Sequence, residues 1–414
     1  MTELLTANRI DVAKVKADFP IFANNPGLVY LDSGASSQRP TAVLEAMDNY
    51  YRFHHANVHR GVYRLAEEAT ELYEGARERI GRFLSAAHPS REIIFAKNST
   101  EALNLVANSL GRGYLRQGDK VVLTKMEHHA NIVPWQMLSQ YLGIKIEYID
   151  VDDEGELMID DLDSIVDGAK VVSLTLTSNV LGTVTPFTEI ALAAKAAGAI
   201  VVGDASQFVP HRAIDVTTIG ADLIAFTGHK MFGPTGIGVL WGKSELLDQM
   251  PPFLGGGDMI TDVRLDGFVA NELPYKFEAG TPPIAEAIGL GAAVDYMNSI
   301  GMDAIEHHDR EISKLAYENV KEAFGSEIRI FGPSDPSKRS GCLSFEFEGV
   351  HPHDVAQVLD QNLVNVRAGH HCAKPLMRHL GVAATARASF HIYNDEADVD
   401  ALVNALRETR NFFI

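Results

Sequence analysis

The stretch that decides the fold is ADLIAFTGHKMFGPTGIGVL, residues 221–240. The apolar run at 223–226 is typical of a buried strand, and it changes abruptly to the sequence TGHK at 227–230. Several glycines follow, and they allow the backbone to pass close to a bulky group. Because lysine is rarely buried without a partner or a task, the sequence predicts a functional site around Lys230, at the end of a strand.

Two interpretations of Lys230 are open at this point. A lysine that is desolvated in such a turn loses its proton readily and attacks carbonyl carbons, which is the role of the lysine that binds pyridoxal phosphate (PLP). The alternative is a surface lysine in an ordinary strand-to-loop turn. The rest of the chain must decide between them.

The composition is that of a globular protein large enough for more than one domain. The chain has 414 residues, of which 46% are hydrophobic and 22% charged, and a prior of about 150 residues per domain suggests two or three domains. Its formal net charge of −19 repels nucleic-acid phosphates. We therefore expect no nucleic-acid partner.

The N-terminus and the cysteines indicate the cellular setting. Residues 1–20 lack the basic and apolar regions of a signal peptide, and no apolar run approaches the ~18 residues that span a bilayer. Cys342 and Cys372 form no CxxC pair, so neither a disulfide framework nor a cysteine zinc site is expected. We expect a cytoplasmic chain with no membrane partner.

Strands and helices alternate between residues 118 and 216, which favours a largely parallel sheet covered by helices. In such sheets, ligands bind beyond the carboxyl ends of the strands. The predicted strands lie at 120–123, 144–148, 171–176 and 199–203, and the predicted helices at 135–142 and 189–197.

Polar side chains follow three of these strands, and Asp204 is the most informative of them. An aspartate at the end of a buried strand is costly without a cationic or hydrogen-bonding partner. The partner is either a helix N-terminus or the pyridinium nitrogen of PLP, and Lys230 follows 26 residues later. The neighbouring pair His128-His129 does not predict a metal site, since adjacent side chains point apart and no HExxH spacing surrounds them.

Three further segments each admit a functional and a structural interpretation. Ser99 and Thr100 follow a predicted strand at 92–96 and precede a helix, which is typical either of an anion site or of an ordinary N-cap. Thr281, before two prolines, is a ligand hydroxyl or a helix N-cap. His59 and Arg60 line a site or stand at a solvated helix entrance.

A smaller α+β region begins near residue 297, and it contains the candidate nucleophile. In VRAGHHCA, residues 366–373, Cys372 follows Arg367 and two histidines, cationic neighbours that favour a reactive thiolate. Cys342 begins an apolar strand and is interpreted as a small buried hydrophobe. Arg387 lies in another apolar strand, where a guanidinium needs a carboxylate partner, and a substrate carboxylate would serve.

Taken together, these segments resemble the PLP-dependent cysteine desulfurases of the group II, Suf type, which have the class V aminotransferase architecture. The resemblance runs from about Asp18 to the C-terminus and rests on EHHANIVPW, TSNVLGT, GDASQ, FTGHKMFGPTGIG, FEAGTP, VRAGHHCA and ARASFHIYN. It implies an α/β protein of PLP fold-type I, with a mostly parallel seven-stranded sheet. The large PLP-binding domain would span residues 26–296, and residues 1–25 and 297–414 would form the smaller α+β domain.

The resemblance also implies a role for each candidate residue. In the PLP site, Lys230 would form the Schiff base, His128 would stack on the ring, Asp204 would pair with the ring nitrogen, and Gln207 would reach the phenolic oxygen. The residues implied for the phosphate are Ser99, Thr100, Thr227 and His229, with Thr281 from the other subunit of a homodimer. The residues implied for the substrate L-cysteine are Asn179 and Arg387 at its carboxylate, Cys372 as sulfur acceptor, and Arg367, His59 and Arg60 around that cysteine.

The implied reaction converts L-cysteine to L-alanine and leaves a persulfide on Cys372. The sulfur would then pass to a SufE- or SufU-like protein for iron–sulfur cluster assembly. Three alternatives remain open: a class V aminotransferase, which needs no thiol; a selenocysteine lyase; and a sulfur carrier or scaffold without PLP. No metal is expected in the site.

Overall fold

The structure is a computed structural model that describes residues 9–413. It contains one large sheet, one smaller sheet, and helices that cover both. In chain order the strands are β1 (Val29–Tyr30), β2 (Ile93–Ala96), β3 (Lys120–Thr124), β4 (Lys145–Ile149), β5 (Ala169–Thr175), β6 (Ile200–Asp204), β7 (Leu223–Thr227), β8 (Gly238–Gly242), β9 (Ile260–Arg264), β10 (Gly267–Ala270), β11 (Ile328–Phe331), β12 (Cys342–Phe347), β13 (Val364–Asn365), β14 (Arg367–Gly369) and β15 (Thr385–Ser389).

The helices are short at the N-terminus and longest near the middle and end of the chain. They are α1 (Val12–Ala17), α2 (Pro20–Asn24), α3 (Thr41–Asn49), α4 (Arg64–Phe83), α5 (Pro89–Glu92), α6 (Ser99–Gly113), α7 (Val133–Leu142), α8 (Leu162–Val166), α9 (Phe187–Ala196), α10 (Ser244–Gln249), α11 (Ile284–Ile300), α12 (Met302–Phe324), α13 (Pro352–Gln361), α14 (Lys374–His379) and α15 (Glu396–Phe413). No helix within residues 9–413 is both long and apolar enough to cross a membrane.

The large sheet has seven strands in the order β2-β8-β7-β6-β5-β3-β4. All neighbours run parallel except β8, which is antiparallel to both β7 and β2. The connection from β7 to β8 is too short for the helical crossover that a parallel neighbour needs. The predicted mostly parallel seven-stranded sheet is confirmed.

Both faces of this sheet are buried, which explains the continuous apolar run in β7. Leu223 and Ala225 belong to the hydrophobic core on the side of α6 and α7. Ile224 and Phe226 belong to the core on the side of α4, α9 and α11. A strand with helices on both faces has no reason to alternate apolar and polar residues. The carboxyl ends of β5, β6 and β7 therefore lie side by side at one edge of a fully covered sheet.

The smaller sheet is antiparallel, in the order β11-β12-β15-β14, and it packs with α12, α13 and α15 around a separate hydrophobic core. β1 pairs in parallel with β13, so that Val29 faces Val364. The early segment that leads to the 32–37 loop is therefore attached to the late part of the chain. The domain bounds 26–296 and 1–25 with 297–414 stay a prediction.

Two local features were not predicted from the sequence. The N-terminal segment forms two short helices: α1 ends at Ala17 and Pro20 begins α2, at a position where its missing N–H costs nothing. The strands β9 and β10 form a hairpin in which Arg264 faces Gly267, so its two-residue turn is Leu265-Asp266. Gly267, at the last position of this turn, is a residue that β-turns favour there.

Candidate active site

The turn after β7 places Lys230 at the bottom of a cleft beyond the carboxyl ends of the strands. A single 3-10 turn, Gly228–Lys230, follows Thr227, and the Gly228 N–H donates to the Ile237 carbonyl oxygen at 3.0 Å. Burial lowers the pKa of Lys230 to about 8, and the charge of Asp204 opposes that shift only in part. The lysine amine is therefore substantially neutral at mildly alkaline pH.

Asp204 lies next to this turn, since β6 and β7 are neighbours with Asp204 opposite Ala225. The carboxylate is buried and accepts the Ser206 N–H at 3.0 Å. Gln207, three residues later, donates from Nε2 to the Gly34 carbonyl oxygen at 2.8 Å. Asp204 is therefore close enough to Lys230 for its charge to raise the lysine pKa, and Gln207 bonds a residue that lines the cleft.

His128 presents a neutral ring to the cleft. Its Nδ1 accepts the Ala130 N–H at 3.0 Å, so a neutral ring carries its proton on Nε2. Burial, together with the charge of Lys230, lowers the pKa of His128 to about 3. An uncharged flat ring suits stacking on an aromatic group. Within residues 9–413, no group of three or more His, Cys, Asp or Glu residues is arranged to hold a metal ion.

Glu127, directly before His128, is a buried carboxyl for which the sequence predicted no role. It accepts hydrogen bonds from the Thr124 hydroxyl at 2.6 Å, the Asn131 side-chain amide at 2.7 Å and the Thr175 N–H at 3.0 Å. Burial raises the pKa of Glu127 to about 8 despite these donors. These hydrogen bonds hold the backbone at Glu127, and thereby the position of the adjacent His128.

An anion cradle lies at the start of α6. The N-cap is Asn98, whose Oδ1 accepts the Glu101 N–H at 2.9 Å, so the alternative of a cap by Ser99 or Thr100 is wrong. Both hydroxyls are left in the wall of the cleft. Thr227 lines the same wall, and its buried Oγ1 has no hydrogen-bond partner within the described chain. A helix N-terminus beside an unpaired hydroxyl is suited to a phosphate.

His229 stands beside this cradle and is uncharged near neutral pH. Burial, together with the neighbouring charges of Lys230 and Arg39, lowers its pKa to about 4. Its backbone carbonyl accepts the Ser37 N–H at 2.9 Å, so the turn before Lys230 is held by the 32–37 loop.

Arg387, on β15, is 2% exposed and forms the opposite wall. Its Nη1 donates to the Asn179 carbonyl oxygen at 2.7 Å, and its Nη2 lies 3.3 Å from Asp32 Oδ1. The Asn179 side chain in turn donates to the His371 carbonyl oxygen at 2.6 Å. Arg387 Nε has no partner in the described residues. The sequence predicted a carboxylate for Arg387 but missed Asp32.

Cys372 lies on a loop that follows β14, with its side chain in the cleft. The backbone has a positive φ at both His371 (49°) and Cys372 (56°). His129 holds this loop at two points: its N–H donates to the Cys372 carbonyl at 2.8 Å, and its Nε2 accepts the Lys374 N–H at 3.0 Å.

Cys342, in contrast, is buried. Its thiol lies 3.5 Å from the Val180 carbonyl oxygen, and burial raises the pKa of the thiol.

The fold brings most of the predicted site residues to this cleft. Those that line it are Ser99, Thr100, His128, Asn179, Thr227, His229, Lys230, Arg367, Cys372 and Arg387. Five predicted residues are not among those that line it. Asp204 acts on Lys230 through its charge, and Gln207 bonds the Gly34 carbonyl. His59 Nε2 bonds Glu74 at 2.8 Å, Arg60 Nε lies 2.9 Å from Asp258, and Thr281 lines a separate cavity.

The sequence model of the family Aminotransferase class-V matches residues 29–402, so the chain belongs to this family. A Streptomyces coelicolor protein named "Probable cysteine desulfurase" is 49% identical, over 98% of both chains. The apo structure of cysteine desulfurase from Thermococcus onnurineus is 43% identical with a TM-score of 0.92, over 97% of this chain and 98% of that one. The cysteine desulfurase CsdA from Escherichia coli is 37% identical with a TM-score of 0.89, over 98% and 100%. The predicted family and fold are confirmed.

Proposed function

We propose that this chain is a PLP-dependent cysteine desulfurase, which converts L-cysteine to L-alanine and leaves the sulfur as a persulfide on Cys372. One observation carries the proposal: Lys230, Cys372 and Arg387 line one cleft. The relatives at 49% and 43% identity bear the name of this activity and support it. An aminotransferase would have no use for the cysteine.

The cleft fits PLP. The Thr227 hydroxyl, which has no partner within residues 9–413, and the N-terminus of α6, with Ser99 and Thr100, offer donors to its phosphate. Asp204 suits the ring nitrogen, and the neutral ring of His128 suits its face. When bound, PLP supplies an electron sink that stabilises negative charge at the substrate Cα.

The chain's own residues supply the remaining steps. Lys230 would hold PLP, and its amine, whose pKa burial lowers, would serve as the base that takes the proton from the substrate Cα. Asn179 and Arg387 orient the substrate carboxylate. The Cys372 thiolate attacks the substrate sulfur. The new S–S bond forms as the Cβ–S bond breaks, and the electron pair stays on carbon, which takes up a proton. One L-cysteine and one thiol thus give L-alanine and one persulfide.

The proposal includes a homodimer. Thr281 lies outside the cleft of its own chain, in a cavity beside Lys97 and Glu101, and its predicted phosphate contact would come from the other subunit. Light scattering of the PLP-loaded protein should give twice the mass of one chain. Thr281→Ala should weaken PLP binding, and a monomer that retains PLP would contradict this part.

The fate of the sulfur completes the proposal. The persulfide on Cys372 would pass to a SufE- or SufU-like acceptor in the cytoplasm, for iron–sulfur cluster assembly. The partly exposed position of Cys372 on a loop supports transfer to a second protein. Sulfide release should rise when such an acceptor is added. Unchanged turnover with both acceptor types would leave the desulfurase proposal standing without this partner.

The decisive test is incubation of the PLP-loaded protein with L-cysteine and a thiol reductant, with alanine and sulfide measured together. Equal amounts are expected. Cys372→Ala should abolish both products while the visible PLP absorbance persists, and Cys342→Ala is the matched control that should retain them.

Other outcomes select the alternatives. Amino-group transfer to a 2-oxo acid by Cys372→Ala indicates an aminotransferase. Alanine from selenocysteine but not from cysteine indicates a selenocysteine lyase. A protein that takes up no PLP at all indicates a carrier or scaffold.

A further inference from the structure

The 32–37 loop, between β1 and α3, joins the separate parts of the site. The Gly34 N–H donates at 2.8 Å to the hydroxyl of Ser389, which lies on β15 two residues after Arg387. The Gly34 carbonyl accepts Gln207 Nε2 at 2.8 Å. The loop therefore contacts both the strand that carries Arg387 and the segment after β6.

The same loop lies tightly against the Arg387 guanidinium. A Cβ on Gly34 would lie 3.2 Å from both Cζ and Nη2 of Arg387, closer than ordinary van der Waals contact. Asp32, two residues earlier, supplies the carboxylate that Arg387 contacts. The loop thus places one negative charge at a guanidinium that has little room to move.

The contact between Asp32 and Arg387 is incomplete. Charge-assisted N–H···O bonds are usually about 2.7–2.9 Å long, whereas Nη2 and Asp32 Oδ1 are 3.3 Å apart. A guanidinium has five N–H donors, and only two of Arg387's nitrogens bond acceptors within residues 9–413. Asp32 engages one nitrogen and leaves Nε without a partner.

The charged, carboxylate form of Asp32 is stabilised only weakly by its surroundings. Burial raises its pKa above the ordinary value, although the charges of Arg387, Arg367 and Lys230 all favour the carboxylate form. Its side chain is 25% exposed, against 2% for that of Arg387. Of the two groups, Asp32 is therefore the one that can turn away when a second carboxylate arrives.

We propose that Asp32 is a positioning residue that holds Arg387 in the free site and competes with the substrate carboxylate for its Nη2 edge. The proposal rests on the proposed function in that Arg387 receives this carboxylate. The substrate carboxylate must displace Asp32 from Nη2, so the Asp32 contact weakens substrate binding.

The test is Asp32→Asn in the PLP-loaded protein, which keeps the size and one acceptor oxygen but removes the charge. We expect the KM for L-cysteine to fall about three- to tenfold with kcat changed less than twofold, because the competing charge is gone. Asp48→Asn, which removes the carboxylate of the exposed Arg52 pair, is the matched control and should change neither. A raised KM, or a lowered kcat at unchanged KM, would overturn the proposal.

A second measurement separates this proposal from the proposed function. Binding of L-alanine, followed by the visible absorbance of the PLP-loaded protein, needs no turnover. If the natural protein forms no alanine from L-cysteine, the proposed function fails. Tighter L-alanine binding by Asp32→Asn would still support the competition, and unchanged or weaker binding would reject it.

Discussion

Two buried arginines, Arg77 and Arg387, have opposite surroundings. Arg77 on α4 is fully buried, and all three of its nitrogens donate to acceptors from its own chain: the carboxylates of Glu74 and Glu278 and the carbonyl of Ile93. Arg387 is almost as buried, yet its Nε has no partner in the described residues. Acceptors from the chain bind all three nitrogens of Arg77, whereas Nε of Arg387 finds no acceptor within residues 9–413.

The difference indicates a structural role for Arg77 and a ligand-binding role for Arg387. The Arg77–Glu278 pair attaches α4 to the segment that precedes Thr281, and further bonds from Tyr73 and Phe95 satisfy the same carboxylate. A buried polar group with no partner is rare in a native fold and needs an explanation. Arg387 and Thr227 line the same cleft, which indicates that a ligand completes both.

The largest effect on stability should come from Arg77→Met. The change leaves Glu278 buried without its cation, and we expect a loss of about 3–5 kcal/mol in the free energy of unfolding, measured by urea titration. The control is Arg52→Met, at an exposed pair with Asp48, which should cost no more than about 1 kcal/mol. Equal losses from the two variants would break the comparison.

Arg387→Lys should show the reverse pattern. A lysine ammonium cannot offer two parallel N–H groups to a carboxylate. We expect kcat/KM for L-cysteine to fall about 30- to 4000-fold in steady-state kinetics, which corresponds to a loss of roughly 2–5 kcal/mol in transition-state binding. Urea titration should show little loss of stability. A stability loss as large as that of Arg77→Met, with full activity, would place Arg387 among the structural groups.

Thr227→Val extends the comparison to a hydroxyl. Because Thr227 Oγ1 has no partner in the described chain, the PLP-free protein should lose no stability, while PLP binds about tenfold more weakly. Thr185, whose hydroxyl donates to the Thr175 carbonyl at 2.8 Å, is the matched control. Thr185→Val should lose about 1 kcal/mol of stability and keep its PLP affinity. Titration with PLP measures the affinity of both variants, and titration with urea measures their stability. Weaker PLP binding by Thr185→Val, or a loss of stability in Thr227→Val, would contradict the comparison.

The smallest effect is a change in the pH dependence of Lys230. Since burial lowers its pKa to about 8, the amine is an ammonium below that pH and reactive above it. Labelling of the PLP-free protein with an amine-directed reagent, read by mass spectrometry, should reach half its maximal rate near pH 8. Arg387→Gln should raise this midpoint, because the Arg387 charge lowers the pKa. A midpoint near the ordinary lysine value of about 10.4 would contradict the burial of the amine.

Much of the fold followed from the sequence. The apolar run in β7 and the alternation from 118 to 216 predicted a covered parallel sheet, because both are local patterns. The hairpin of β9 and β10 was missed, because its turn, Leu265-Asp266, lacks the Asn-Gly or Asp-Gly central pair that signals such a hairpin. Asn98 rather than Ser99 caps α6, a choice between adjacent residues that short-range pattern does not resolve.

The sequence by itself predicted the candidate reactive groups: a lysine after a buried strand, an aspartate at the end of the strand before it, and a cysteine that follows an arginine. Only the tertiary structure decided which buried polar groups are complete. Asp32 and Arg387 are 355 residues apart, and Arg77 and Glu278 are 201 apart. Hydrogen bonding depends on distances of about 3 Å between atoms that the chain brings together only on folding. The place left for a ligand is therefore a property of the fold.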